Sequence, residues 1–422
     1  MRYTNVTFPV GKDKVTAAIP NLMAAVAPKH VPGVTDERAE IRRALDNPIG
    51  SPKLAAIARG KKSAAIVVND ITRPYPGGLM VEELAKDLAE AGLRDEDIFL
   101  VVAYGMHRIN TEDELIAMFG ESVVRRFRFV HHRGQDESTL VSLGHTAGGV
   151  EVTVNREFAE AGVKIVTGLI APHHSAGFSG GRKSVLPGIS GLPTLKLHHS
   201  FPIRPPRPAM GWLEGNRFHE ESLAAARIAK VDFMLNSVDN VDRGLVSAVA
   251  GDLAEAHAEG VRICRTIWAV ELPRKADVVI VSPGGFPRDI DLYQAQKAVS
   301  CAELACRDGG QIVLCAEARD GTGKFGELLA KAKEPQEVID TYTREGFTAD
   351  STAKAYMYAR ALVNHRVGVA CSAMTREEAR EMFMDAWATI DEAVAAALER
   401  YGPEATFLAV PNAAEMILTQ AG

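Results

Sequence analysis

Eight short apolar runs recur along the chain, at 64–68, 98–103, 163–167, 231–235, 278–281, 311–316, 367–371 and 406–410. Their near-continuous Val, Ile and Leu content suits strands buried on both faces of a parallel sheet; half-solvated strands would alternate. Between them apolar positions recur at helical spacing, as over 78–92, and Thr111-Glu112-Asp113-Glu114 carries a capping-box pattern for another helix. Strand alternating with helix predicts an α/β protein with mainly parallel sheets. The 422 residues exceed one typical domain. A boundary is expected near Leu272-Pro273-Arg274-Lys275, after a long helix over about 252–270. It separates an N-terminal α/β cofactor-binding domain (1–272) from a C-terminal α/β domain (273–402), with the final strand, in 403–422, expected to return to the first. An active-site cleft between the two follows, because open α/β sheets bind ligands at the carboxyl ends of their strands.

Charge narrows the partners. A net charge of −6 and a pI near 6.1 supply no basic field for nucleic acid. The start has no signal-peptide core and no apolar run approaches membrane-spanning length, so a soluble, cytoplasmic protein is expected. Cys264, Cys301, Cys306, Cys315 and Cys371 are scattered through apolar segments and read as buried, reduced thiols.

The chemistry concentrates after the predicted strands. The segment His173-His174-Ser175-Ala176-Gly177-Phe178-Ser179-Gly180-Gly181-Arg182-Lys183-Ser184-Val185-Leu186-Pro187-Gly188 joins imidazoles, glycines and an Arg-Lys pair. Glycines let backbone amides approach a ligand, and the cations suit a phosphate or carboxylate. It is not a P-loop, since counting from Gly177 puts Arg182 where the second glycine belongs, and no Gly-x-Gly-x-x-Gly opens a helix. His198-His199 follow closely. Two earlier strands end in Asn69-Asp70-Ile71-Thr72-Arg73-Pro74 and Tyr104-Gly105-Met106-His107-Arg108. There Asp70 serves either to orient a polar group or as a turn residue, and Arg73 can fork a carboxylate. In the second domain Tyr293 and Lys297 share one face of a helix, with Gln294 beside them. His131, His132, His145, His219, His257 and His365 lack such context and read as structural or surface residues. Two other readings stay open on these residues. One is a metal-dependent hydrolase using His107, His173, His174, His198 and His199, although His-x-x-x-His spacing is missing. The other is a non-catalytic binder of anionic metabolites using Arg73, Arg182 and Lys297.

The loops at 70–74, 105–108 and 173–188, with His199-Ser200 and Tyr293-Gln294-x-x-Lys297, resemble the nickel-dependent lactate racemase family. That resemblance covers most of the chain in order. It implies a two-domain α/β fold holding a nickel pincer nucleotide, a pyridinium-3-thioamide-5-thiocarboxylic acid mononucleotide whose two sulfurs and one ring carbon bind nickel. It implies that Lys183 forms the thioamide link, that His199 ligates nickel, and that Asp70, Thr72, Gly177, Ser179, Gly180, Gly181 and Arg182 hold the cofactor. It further implies that His107 and His173 act as acid and base, while Arg73, Tyr293, Gln294 and Lys297 hold a 2-hydroxy acid substrate. The expected activity is racemisation or epimerisation by hydride transfer, because the hydrogen on the carbinol carbon is too weakly acidic for direct abstraction. Cofactor-making proteins are the implied partners. Family members acting on lactate carry aromatic side chains where this chain has His174-Ser175, so a substrate larger or more polar than lactate is expected.

Overall fold

The computed structural model describes residues 2–200, 203–346 and 350–420. A strand overlaps each of the eight apolar runs, and helices alternate with them. The first six-stranded sheet runs, in spatial order, Leu245–Gly251, Phe233–Asp239, Val163–Leu169, Ala64–Asn69, Ile98–Ala103 and Arg128–His131. Every pair is parallel except that of the first two strands, which form a hairpin. The second sheet is wholly parallel, in the order Asp385–Trp387, Arg366–Ala370, Cys306–Cys315, Ala276–Val281, Phe407–Val410 and Leu22–Ala25. Central strands such as Ala64–Asn69 and Ala276–Val281 are buried along nearly their whole length, which is why they read as unbroken apolar runs.

The pairing departs from the expected division at both chain ends. The strand Phe407–Val410 does not return to the first sheet; it lies between Ala276–Val281 and Leu22–Ala25 in the second. The hairpin of Tyr3–Val10 and Asp13–Pro20 also packs there, with Phe8 and Ile19 buried against Ile280 and Phe407. The helix expected to reach residue 270 is Glu255–Trp268, and Ala269–Leu272 instead pairs in parallel with Ile417–Gln420. Among the described residues no helix is long and apolar enough to cross a membrane.

Each sheet has one place where the chain reverses its direction of growth. In the first, strands are added outward from Ala64–Asn69 on one side and from Val163–Leu169 on the other. In the second the reversal falls between Ala276–Val281 and Phe407–Val410. Loops leaving neighbouring strands part at such a point and open a crevice. Both crevices face the same cavity.

The helix Glu112–Phe119 begins in the capping box read from sequence. Glu114 N–H donates to Thr111 Oγ1 at 3.2 Å, and Thr111 N–H donates to the Glu114 carboxylate at 2.9 Å. Thr111→Ala is expected to cost about 1 kcal/mol, seen as a melting temperature lower by roughly 2 °C. An unchanged melting curve would show that the cap adds nothing here.

Candidate active site

A cavity of about 560 Å³ opens between the two crevices. The first sheet lines it with the loops after Ala64–Asn69, Ile98–Ala103 and Val163–Leu169; the second contributes Arg288, the helix Leu292–Glu303 and Glu415. Glu415 accepts hydrogen bonds from Arg243 of the first sheet's hairpin at 3.3 Å and from Arg288 at 3.4 Å, which ties the domains at the rim.

His107 is fixed from one side. Its Nδ1 stands 2.6 Å from Asp70 Oδ2, so Nδ1–H donates to the carboxylate and Nε2 is left as the basic nitrogen. Asp70 in turn accepts from Thr72 Oγ1 at 2.6 Å and Thr72 N at 3.1 Å. Burial opposes its ionisation, but the bonds from His107 and Thr72 outweigh that and hold the carboxyl below its ordinary range. Asp70 and Thr72, expected at the cofactor, line the cavity and also hold His107. The loop is anchored to the cradle by Gly105, at φ +56°, whose N–H donates to the Gly188 carbonyl at 2.9 Å.

His173 is fixed differently. Its Nδ1 accepts backbone N–H groups of Ser175 and Ala176, each at 3.1 Å. The neutral ring therefore carries its proton on Nε2, which lies 2.9 Å from Lys183 Nζ. A contact in which the imidazole donates requires lysine to accept, as the uncharged amine. Burial, reinforced by Arg73, Arg182 and Arg204, drives Lys183 well below the ordinary lysine range. Geometry and electrostatics agree on a neutral, nucleophilic amine.

The rest of the cradle divides into lining and support. Ser179, Gly180 and Lys183 line the cavity. Gly177 packs outward: at φ +75°, a Cβ there would stand 2.2 Å from the Trp212 carbonyl oxygen. Arg182, expected to meet cofactor charge, is 1% exposed and turned inward. Its guanidinium donates to the carbonyls of Ala176 at 2.8 Å, Ser179 at 3.2 Å and Gly180 at 3.3 Å. It also lies 2.7 Å from Nε2 of His257, a ring that burial keeps neutral. Gly181 sits behind the cavity wall near that ring. His257, read as structural or surface, supports the cradle both beside Arg182 and directly, with Nε2 2.9 Å from the Ser179 carbonyl.

The adjacent histidines differ in role. His199 lines the cavity, and its Nδ1–H donates to the Leu195 carbonyl at 2.9 Å, so Nε2 holds the lone pair. His198 is fully buried, with Nε2 at 2.9 Å from the Phe218 carbonyl. Among the described residues no three His, Cys, Asp or Glu side chains come together as a metal site.

Arg73 and Lys297 approach the cavity from opposite domains, with Tyr293 and Gln294 beside Lys297. Burial and then Arg73 push the Lys297 ammonium down to about 8. Two cations facing one space make a carboxylate seat. The sequence reading missed Arg204 and Lys354, both buried and both lining the cavity. Arg204 follows His198-His199 closely, in the basic, proline-rich stretch Arg204-Pro205-Pro206-Arg207-Pro208, a signal that was available. Lys354 sits inside an ordinary helix, Asp350–Asn364, and had none.

Known proteins resemble this chain in sequence and fold. The family of the lactate racemase N-terminal domain matches residues 10–211, and that of the lactate racemase C-terminal domain matches 272–418. Two relatives are similar over nearly the whole chain. A lactate racemase from Thermoanaerobacterium thermosaccharolyticum is 32% identical over 99% of this chain and 99% of its own length. One from Lactiplantibacillus plantarum is 34% identical over 98% of this chain and 99% of its own. The solved lactate racemase apoprotein from the former organism superposes with a TM-score of 0.90, covering 98% of this chain and 100% of that one. A Thermotoga maritima protein at 17% identity, covering 93% of this chain and 100% of its own, shares the fold, with a TM-score of 0.63. With both domain families matched and full-length relatives above 30% identity, the chain belongs to the lactate racemase family.

Proposed function

We propose that this protein is a racemase or epimerase of a 2-hydroxy acid, using His107 and His173 as a pair of acid–base groups in one cavity. The observation that carries this is their complementary fixing: His107 is held at Nδ1 by Asp70 and His173 at Nδ1 by two backbone amides, while both rings line the same space. Inversion presents the substrate hydroxyl in two positions, so it calls for one group to take the proton and another to give one back; Nε2 of His107 is unprotonated and Nε2 of His173 carries a proton, as such a pair requires.

The residues present fit a nickel pincer nucleotide. One imidazole with its tautomer set, His199, is the single protein ligand such a group would need, since it brings two sulfurs and a carbon of its own. The neutral amine of Lys183 is the nucleophile a thioamide link would use, and Ser179 and Gly180 line the approach. When bound, the group would accept and return the C2 hydrogen as hydride. The protein's share is to seat the carboxylate between Arg73 and Lys297, orient the hydroxyl with Tyr293 and Gln294, and move the hydroxyl proton through His107 and His173. Cofactor-making proteins would supply the group.

Racemisation in D2O separates hydride return from proton abstraction. Substrate labelled with deuterium at C2 is expected to keep its label through inversion, and unlabelled substrate to gain none. Exchange of C2 with solvent would overturn the mechanism. Lys297 gives a second check. Its ammonium is lost as pH rises through about 8. The ratio kcat/KM for an anionic substrate is therefore expected to fall about tenfold per pH unit above that point. A profile flat to about pH 10 would place Lys297 outside the substrate contact.

A further inference from the structure

The geometry points to a second anion seat beside His174, formed by Arg204 and Lys354, that takes a second carboxylate of the substrate and makes this protein selective for 2-hydroxy dicarboxylic acids. The inference rests on the 2-hydroxy acid reading above and specifies its substrate.

Arg204 is the central observation. It is 4% exposed, yet it lines the cavity, and among the described residues its Nε and Nη1 have no hydrogen-bond partner. Its remaining partners are the Tyr342 hydroxyl, Ser175 Oγ at 3.5 Å from Nη2 and Met357 Sδ at 3.6 Å. A guanidinium is planar and made for two parallel bonds to a carboxylate. Burying one with half its fork unsatisfied is costly unless a ligand completes it. Lys354, 6% exposed, joins it from the helix Asp350–Asn364, with Nζ 4.7 Å over the Tyr293 ring and 3.4 Å from Gln296 Oε1.

The position separates this seat from the first. The charges bearing on His174 are, largest first, Lys354, Arg204 and Lys297. Those bearing on the reactive His173 begin with Lys183 and include Arg73 and Lys297. Lys297 bears on both rings, which stack at 4.5 Å. A substrate carboxylate between Arg73 and Lys297, with the carbinol carbon near His173, directs the C3 side chain toward His174. Seven residues lining the cavity are Arg or Lys, against two carboxylates. Lactate would leave Arg204 uncompensated; malate or 2-hydroxyglutarate would not.

The test uses holoenzyme co-expressed with the cofactor-making proteins, assayed on lactate, malate and 2-hydroxyglutarate, with succinate and propionate as unreactive binding probes. A dicarboxylate is expected to exceed lactate in kcat/KM by about 100-fold, the scale of a buried, charge-paired carboxylate contact. Succinate is expected to bind correspondingly more tightly than propionate. Arg204→Met and Lys354→Met should each collapse both ratios, whatever they do to the absolute rates. Equal use of lactate, with succinate binding no better than propionate, would overturn the second seat. Variants that keep the ratios but purify without nickel would also overturn it, by assigning these cations to the cofactor. Preference for succinate without racemisation of any hydroxy acid would refute the racemase reading and leave the seat standing.

Discussion

His173→Asn is expected to lower turnover by about three orders of magnitude, at the strong end of what a positioned acid–base group contributes. Asparagine is the informative replacement because its Oδ1 can still accept the Ser175 and Ala176 amides now held by Nδ1. The loop keeps its anchor and only Nε2 disappears. His107→Asn does the same on the other side, since its amide can donate to Asp70 in place of Nδ1–H. Each variant then lacks one of the two acid–base groups. Steady-state racemisation should fail in both, because inversion needs each group once. Single-turnover oxidation should survive from one enantiomer in His107→Asn and from the opposite enantiomer in His173→Asn. Rapid-mixing detection of the keto acid from each pure enantiomer measures this. Loss of the same enantiomer in both variants, or turnover kept within tenfold, would refute the paired-base reading.

Much of this arrangement was legible in the sequence because it is local. A strand buried on both faces must be apolar throughout, so the central strands of both sheets showed themselves as runs. A ligand loop leaving such a strand carries its Asp, His or Gly within a few residues of the strand's end. Long-range pairing left no such trace. Nothing in 3–25 or 403–420 says that these segments meet at the second sheet, since Leu22–Ala25 and Phe407–Val410 satisfy their backbone groups through partners hundreds of residues away. The direction of a side chain was equally hidden. Arg182 and Lys183 are neighbours in one short turn, and composition alone gave both to the ligand; only the fold turns one into the cavity and the other into the protein. Lys354 belongs to the same class, because a lysine within a helix says nothing about what that helix faces.

The inward turn of Arg182 carries the other large expectation. This one guanidinium donates to three carbonyls of the cradle, from Ala176, Ser179 and Gly180, and is the donor that Ala176 depends on. Arg182→Met preserves bulk but leaves the Ala176 carbonyl unmet, at about 1–3 kcal/mol, while Lys183 N–H still reaches the Gly180 carbonyl at 3.2 Å and His257 Nε2 the Ser179 carbonyl at 2.9 Å. Against this stands the relief of no longer burying a cation, which offsets part of the loss. A net cost of roughly 1–2 kcal/mol remains, seen as a melting temperature lower by about 2–4 °C. Because Lys183 sits one residue away on the loosened turn, attached cofactor mass and nickel content should fall with it, although Arg182 does not line the cavity. His257 supplies the control. If its ring acts through Arg182, then His257→Ala should destabilise the parent yet add little in the Arg182→Met background, a coupling of about 0.5–3 kcal/mol. Full additivity of the two, or a single Arg182→Met variant that melts with the parent, would show that the cradle keeps its shape by other means.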